Sequence, residues 1–181
     1  MKVHFQIEKQ ERLEQGKFFE FFKGKVDITC TWNGSEFVFS FFRAVDALDE
    51  FFSLLYLMES RGVKIKMENP DSVGTYYFEL KDEQFVLDYF IFENLEAHYE
   101  APVPYHTFKK ELVASLHVYL EELKKINPDI TNHPIYQGLS RCQINREWFD
   151  HYCEMIADAY RRANREVPAR DELFRHHIVK K

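Results

Sequence analysis

The sequence is poor in the residues that mark fibrous, disulfide-stabilised or membrane-spanning chains. Its 181 residues include only 6 glycines, 6 prolines and 3 cysteines, which argues against collagen-like, linker-like and disulfide-framework proteins. The densest apolar stretches, 51–58 and 85–92, are interrupted by Ser53 and Asp88, and both are far shorter than the roughly 20 apolar residues of a membrane helix. The first ten residues lack the apolar core of a secretory signal, so we predict a cytoplasmic protein with no membrane partner.

Basic charge is also scarce. The chain has 24 Lys and Arg against 30 Asp and Glu, a net charge of −6. Residues 1–140 contain 15 basic and 23 acidic residues, a net charge of −8, whereas residues 141–181 contain 9 and 7, a net charge of +2. Basic side chains that neutralise phosphates dominate the affinity of nucleic-acid-binding proteins, so we predict no nucleic-acid partner. An acidic surface instead attracts a basic protein.

Aromatic side chains, in contrast, are abundant. The chain contains 18 Phe, 10 Tyr and 2 Trp, which together make 17% of its residues. Hydrophobic residues make 45% and charged residues 30%, the composition of a folded globular protein. The length suits one domain, since a domain usually takes about 100–200 residues.

Alternating apolar and polar residues predict strands along the N-terminal two-thirds of the chain. The predicted strands cover residues 1–8, 26–32, 36–42, 63–67, 74–80 and 84–93, with a further short aromatic strand at 18–22. Asn33-Gly34 predicts a tight hairpin turn, because both residues tolerate a positive φ. Asn69-Pro70-Asp71 predicts another turn.

Helical spacing of apolar residues predicts one helix among the strands and two near the end of the chain. The first covers residues 46–60 and ends before Gly62, a residue that favours the C-terminal cap. The second begins after Pro104, and the third covers residues 146–164. The proline-containing segment 101–104 is predicted to connect the sheet to the second helix.

These elements predict a single α+β domain over residues 1–181, with a mainly antiparallel sheet of about six strands. Residues 1–100 are predicted to be mainly sheet with one inserted helix, and residues 104–181 to be the helical C-terminal part. The strands 36–42 and 84–93 are apolar on both faces. The inserted helix covers one face, so we expect the C-terminal helices, a second copy or a partner to cover the other.

The candidate interaction surface follows from those strands and the adjoining hairpin. Its members are five aromatic residues and one carboxylate: Trp32, Phe37, Phe39, Asp88, Phe90 and Phe92. Aromatic anchors supply a large share of the affinity in protein interfaces. An unpaired carboxylate is costly to bury, so we expect Asp88 to face solvent at a sheet edge or to have a cationic partner.

The motifs of the common catalytic sites are missing from the sequence. It contains no glycine-rich nucleotide loop, phosphate loop, zinc-protease helix, serine elbow or CxxC pair. The histidines and cysteines near the C-terminus do not follow the short hairpin spacing of a zinc site; they are Cys142, His151, Cys153, His176 and His177. We therefore predict no catalytic residues, no cofactor and no metal.

The predicted function is non-enzymatic binding of another protein, as an inhibitor or immunity-type binder of a basic partner. The layout is similar to that of many small acidic bacterial α+β proteins, among them toxin-neutralising immunity proteins, in size, charge and fold class only. The alternative is a small enzyme or ligand-binding domain, whose pocket would contain His98, His106 or Asp88. A homodimer that covers the second sheet face is a third interpretation.

Overall fold

The structure, a computed structural model, describes residues 1–69 and 73–180, except for the side chains of residues 44–46. Two residues of the predicted turn Asn69-Pro70-Asp71, Pro70 and Asp71, therefore lie outside the described residues. The strands in the described part are Lys2–Gln6 (β1), Val26–Trp32 (β2), Ser35–Phe41 (β3), Ile65–Glu68 (β4), Gly74–Lys81 (β5), Gln84–Ile91 (β6) and Asn94–Pro104 (β7).

The helices alternate with these strands early in the chain and follow one another after β7. They are Gln10–Glu14 (α1), Phe18–Phe22 (α2), Ala44–Arg61 (α3), Tyr105–Ile126 (α4), Pro134–Ser140 (α5), Arg146–Arg162 (α6) and Arg170–Leu173 (α7). Short 3-10 helices cover Pro128–Asn132 and Arg175–His177. Helix α4 ends at Ile126, and the backbone of the following Asn127 is extended, because the residue before a proline disfavours the helical conformation.

The described strands form two antiparallel sheets. Sheet A has the order β1-β2-β3 and sheet B has the order β4-β5-β6-β7. The predicted α+β class with antiparallel strands is confirmed, but the strands divide between two sheets where one was expected. Asn33 and Gly34 close the β2–β3 hairpin with φ angles of 46° and 82°, as their sequence predicts.

Helix α3 packs against both sheets and has a wide apolar face. Its buried apolar residues are at most 2% exposed, and they are Ala47, Leu48, Phe51, Phe52, Leu54, Leu55, Leu57 and Met58. The ring of Phe51 lies 4.9 Å from that of Phe41 in sheet A and 5.6 Å from that of Phe78 in sheet B. So wide an apolar face must be covered by more than one element, and α3 is the element through which the two sheets share one core.

Helix α4 completes the core beside both sheets. The ring of Tyr119 stacks on Phe5 of β1 at 5.6 Å, and the ring of Phe108 stacks on Phe85 of β6 at 4.8 Å. The Ser115 hydroxyl donates to the carbonyl of Val3 at 2.6 Å. This contact places a polar group of the helix on the backbone of the outer strand of sheet A.

The C-terminal residues cover the outer edge of β4. Ile178 forms an antiparallel bridge with Ile65, and the N–H of Val179 donates to the carbonyl of Lys64 at 3.0 Å. The His177 Nδ1–H donates to the carbonyl of Lys66 at 3.0 Å. An exposed strand edge is a template for pairing with another chain, and the tail occupies this one.

Two predictions about local structure are wrong. Residues 18–22, predicted as a strand, form helix α2, in which Phe21 and Phe22 are buried and Phe19 is exposed. The aromatic side chains favour strands, but packing of one side of the segment against the core favours the helix. Residues 101–104, predicted as a connection, are the end of the long strand β7.

Candidate interaction surface

The most exposed aromatic side chain of the described residues lies at the tip of the β6–β7 hairpin. Phe92 is 77% exposed, and the nearby side chains of Leu95 and Val73 are 55% and 61% exposed. Gly74 and Ile91 are paired across β5 and β6, so the next residues outward, Val73 and Phe92, leave the sheet side by side. We call Val73, Phe92 and Leu95 the tip patch.

Phe92 holds an unusual backbone conformation. Its φ is +55°, in the left-handed region that bulky side chains avoid. This conformation costs a residue other than glycine about 1–2 kcal/mol. Such strain is concentrated at functional sites, and here it turns a large apolar side chain out into solvent.

Three exposed glutamates lie along β7 and the turn that precedes it. Glu93 and Glu96 flank Leu95 in the sequence, and Glu100 lies further along the same strand, opposite Val86. None of the three forms an ion pair with another described residue. We call them the acidic rim. Their charges are available to a cation from outside the molecule.

The outer face of sheet B next to the tip patch carries a network of ion pairs. Lys64 lies 3.0 Å from Glu79 and 3.9 Å from Asp88. Burial would raise the pKa of Glu79, but hydrogen bonds from Lys64 and Lys81 outweigh it and lower that pKa. On the same face, the ring of Phe90 meets the edge of Tyr77 at 5.5 Å. This network fixes the positions of the strands that carry the tip.

Asp88 has a cationic partner in Lys64, one of its two predicted environments, and it also contacts a histidine. Its side chain is 18% exposed, and its Oδ1 lies 2.6 Å from Nδ1 of His98 on β7. The register pairs the two residues directly across the sheet, which explains why side chains ten positions apart in the sequence meet. Asp88 and His98 lie side by side on the outer face of sheet B.

The other predicted surface residues lie in sheet A and differ in exposure. Trp32 is 40% exposed at the end of β2. Phe37 is half-buried and stacks on Tyr99 at 4.6 Å. Phe39 is 2% exposed and belongs to the core around Phe51, so a partner does not reach it in the folded protein. The structure brings together Asp88, Phe90 and Phe92, and places the other three on a different sheet.

The two sheets are joined at the edge of β3 by Tyr76 of β5 and by Asn69, the residue that directly follows β4. The Tyr76 hydroxyl accepts from the N–H of Ser40 at 3.1 Å and donates to its carbonyl at 2.7 Å. Asn69 accepts from the N–H of Phe42 at 3.1 Å and donates to the carbonyl of Ser40 at 3.0 Å. Backbone groups that would be left without partners at the end of a sheet are satisfied in this way.

A cleft of about 260 Å³ lies beside this junction. Its lining comes from the edge of β3 and from the strands of sheet B below it, and includes Phe37, Val38, Tyr76, Tyr89 and Ala97. The cleft contains none of His98, His106 and Asp88, the residues that the predicted ligand pocket would contain. It is smaller than the about 300–1,000 Å³ of most ligand pockets.

The cysteines contribute no reactive thiol to any of these surfaces. Cys30, Cys142 and Cys153 are all free and buried. Burial raises the pKa of Cys30 to about 11, against a smaller lowering by its hydrogen bond with Tyr99, and it also raises the pKa of the other two thiols.

We therefore expect the native protein to react slowly with a thiol reagent, because the thiolate is the reactive form. At about pH 8, a shift of Cys30 of this size lowers its thiolate fraction about 100-fold. Colour development with Ellman's reagent measures the rate, and the same protein in concentrated guanidinium chloride is the control. The unfolded chain should release 3 equivalents promptly. One rapidly reacting equivalent in the native protein would contradict the burial of these side chains.

Neither a metal centre nor a membrane helix is found in the residues that the structure describes. Within them, no group of three or more His, Cys, Asp or Glu side chains could hold a metal ion, and no helix is long and apolar enough to cross a membrane. Comparison with known proteins found no match to the chain among family models, curated proteins or solved structures.

Proposed function

We propose that this protein is a non-enzymatic binder of a basic protein, which it recognises through the tip patch and the acidic rim. The observation that carries the proposal is the exposed apolar tip of the β6–β7 hairpin, on a strand that also carries glutamates without ion-pair partners among the described residues. Inhibition or neutralisation of the partner is the activity that fits a chain with a large charged surface and no recognisable catalytic motif.

The tip patch provides the apolar side chains that anchor the partner. Aromatic side chains that enter a pocket of the partner often account for about 2 kcal/mol or more of binding free energy each. Phe92 is suited to this role because it projects beyond the hairpin, and Leu95 and Val73 widen the apolar contact. Phe90 stands next to them, since it is paired with Leu95 across the hairpin.

The acidic rim attracts the basic partner to this surface during association. Complementary charges around an interface mainly raise the association rate and exclude partners of the wrong sign. Glu93, Glu96 and Glu100 lie within one hairpin and carry the same charge. A second copy of this chain would bring the six glutamates of two rims together, so charge repulsion disfavours a symmetric dimer through this surface.

The proposal predicts that Phe92→Ala removes most of the affinity for the partner. The tagged protein is used to capture binding proteins from the native lysate at low and high salt, and mass spectrometry quantifies them. We expect one stoichiometric basic protein, less of it at high salt, and a loss of about 30-fold in affinity for Phe92→Ala. The matched control is Val118→Ala, which shortens another exposed apolar side chain, on helix α4.

Replacing the three rim glutamates with glutamine separates charge from apolar contact. This variant should bind the captured protein with a slower association rate and a weaker salt dependence. Equal capture by the wild type and by Phe92→Ala would refute the role of the tip patch. Light scattering at two concentrations detects the homodimer interpretation, and a dimer that survives at high salt would replace the proposal.

A further inference from the structure

Strand β3 has a free edge above the cleft. The hydrogen bonds at Ser40 and Phe42 show which backbone groups of the strand point outward from this edge. Both the N–H and the carbonyl of Ser40 point away from β2, because Tyr76 binds both of them. The N–H of Phe42 points the same way, towards Asn69. Backbone directions alternate along a strand, so the groups of Val38 and Glu36 also point outward.

No other described residue occupies those outward groups. Strand β3 pairs only with β2, and neither Val38 nor Glu36 has a further hydrogen bond within the part of the chain that the structure describes. Val38 is 45% exposed and lines the cleft. The outward backbone groups are therefore hydrogen-bonded at Ser40 and Phe42, whereas those of Val38 and Glu36 are open to a partner.

We propose that the cleft receives an extended segment of the basic partner, which adds to the edge of β3 as a further strand. The proposal rests on the proposed function and names its mode of binding. The Asn69 amide already binds this edge as a backbone peptide group would, accepting from one residue and donating to another two positions away. A bound strand continues that ladder past Ser40 to Val38 and Glu36.

The charges at the cleft favour a basic segment over an acidic one. Lys25, the cation that lines the cleft, is 2.8 Å from Asp27 and is thereby neutralised. Glu36 lies two residues before Val38 on this edge, is exposed and has no ion-pair partner among the described residues. A lysine or arginine side chain opposite Glu36 on an added strand would face this carboxylate.

The cleft and the tip patch lie within reach of one partner. Tyr89 and Ala97 line the cleft and are paired across the β6–β7 hairpin. Phe92 follows Tyr89 by three residues, a distance of about 10 Å along a strand. A partner that seats Phe92 in a pocket therefore has its neighbouring segment beside the edge of β3.

Two short synthetic peptides test the inference without knowledge of the partner. One alternates lysine with valine and threonine, and the other carries glutamate in place of lysine. With isotope-labelled protein, the basic peptide should slow hydrogen exchange of the Val38 and Glu36 amides at least about tenfold at saturation, and the acidic peptide should not. Unchanged exchange at both amides with the basic peptide would overturn the inference.

Variants of Val38 provide the matched comparison. Val38→Pro removes only an outward N–H, which proline tolerates on an edge strand, and Val38→Thr keeps that N–H with a similar shape. We expect Val38→Pro to bind the basic peptide at least about tenfold more weakly than Val38→Thr, a difference equal to about one hydrogen bond. Equal binding by the two variants would refute strand addition. If Val38→Pro does not fold, the exchange measurement on the wild type decides alone.

The outcomes distinguish this inference from the proposed function. If the captured partner is lost with Phe92→Ala but kept with Val38→Pro, the proposed function stands and strand addition is wrong. If both variants keep the partner, both proposals are wrong. Slow exchange at Val38 that depends on protein concentration, with no peptide present, would assign the edge to a second copy and overturn the inference.

Discussion

Phe51→Ala should destabilise the protein by about 3–5 kcal/mol, the usual cost of removing a buried phenylalanine ring. Phe51 is fully buried in α3 and contacts rings of both sheets. Collapse of either sheet into the resulting cavity would pull it away from the other, so the cavity is poorly relieved. Because a domain is stable by only about 5–15 kcal/mol, the change removes a large part of the total. Urea unfolding followed by circular dichroism measures it.

Phe19→Ala is the control for this prediction. Phe19 is 62% exposed on α2, and the Lys23 ammonium lies 4.4 Å from the centroid of its ring. Exposed substitutions usually change stability by less than about 0.5 kcal/mol. Similar losses for the two variants would show that the packing of α3 against both sheets is not what stabilises the fold.

The second large effect is expected at the junction between the sheets. Tyr76→Phe removes the hydroxyl that binds Ser40, and Asn69→Ala removes the amide that binds Ser40 and Phe42. Each change leaves a backbone group near the sheet end without its partner, at a cost of about 1–3 kcal/mol. The carbonyl of Ser40 keeps one hydrogen bond in either single variant and loses both in the double variant.

The double variant should therefore lose more stability than the sum of the two single losses. Residues that share a hydrogen-bond partner commonly show coupling energies of about 0.5–3 kcal/mol. A double-mutant cycle by chemical unfolding measures this coupling. Tyr77→Phe is the control, because Tyr77 lies on the opposite face of the same strand. Strict additivity of the two changes would contradict the sharing of the Ser40 carbonyl.

Turns and helix ends were predictable from the sequence where the residue type itself favours the backbone conformation. The hairpin at Asn33-Gly34 and the end of α3 at Gly62 follow from the positive φ that these residues adopt easily, and the structure has φ angles of 46°, 82° and 61° there. The helix 18–22 was not predictable, because a short aromatic run has no period that separates helix from strand. The division into two sheets depends on which strands meet in space, and alternation within one strand contains no such information.

The candidate surface was predictable in part. Phe90 and Phe92 were identified because the predicted strand 84–93 is apolar on both faces. The exposure of Phe92 depends on a φ of +55° that no phenylalanine is expected to adopt, so the sequence contains no signal for the tip. Leu95 and Val73 were missed because only the strand register brings their chain segments together. The contact between Asp88 and His98 would have been predictable had that register been known.

Helix α3 also limits how this gene product can be divided. The helix belongs by sequence to the first half of the chain, yet its far side packs on α6, where the ring of Phe149 stacks on Tyr56 at 4.7 Å. A fragment that ends near residue 100 would keep α3 and leave that side in water, together with the faces that α4 covers. We therefore expect that a split reporter divided near residue 100 would give two halves with exposed apolar surface. An exposed turn such as 33–34 is a better place for an inserted label.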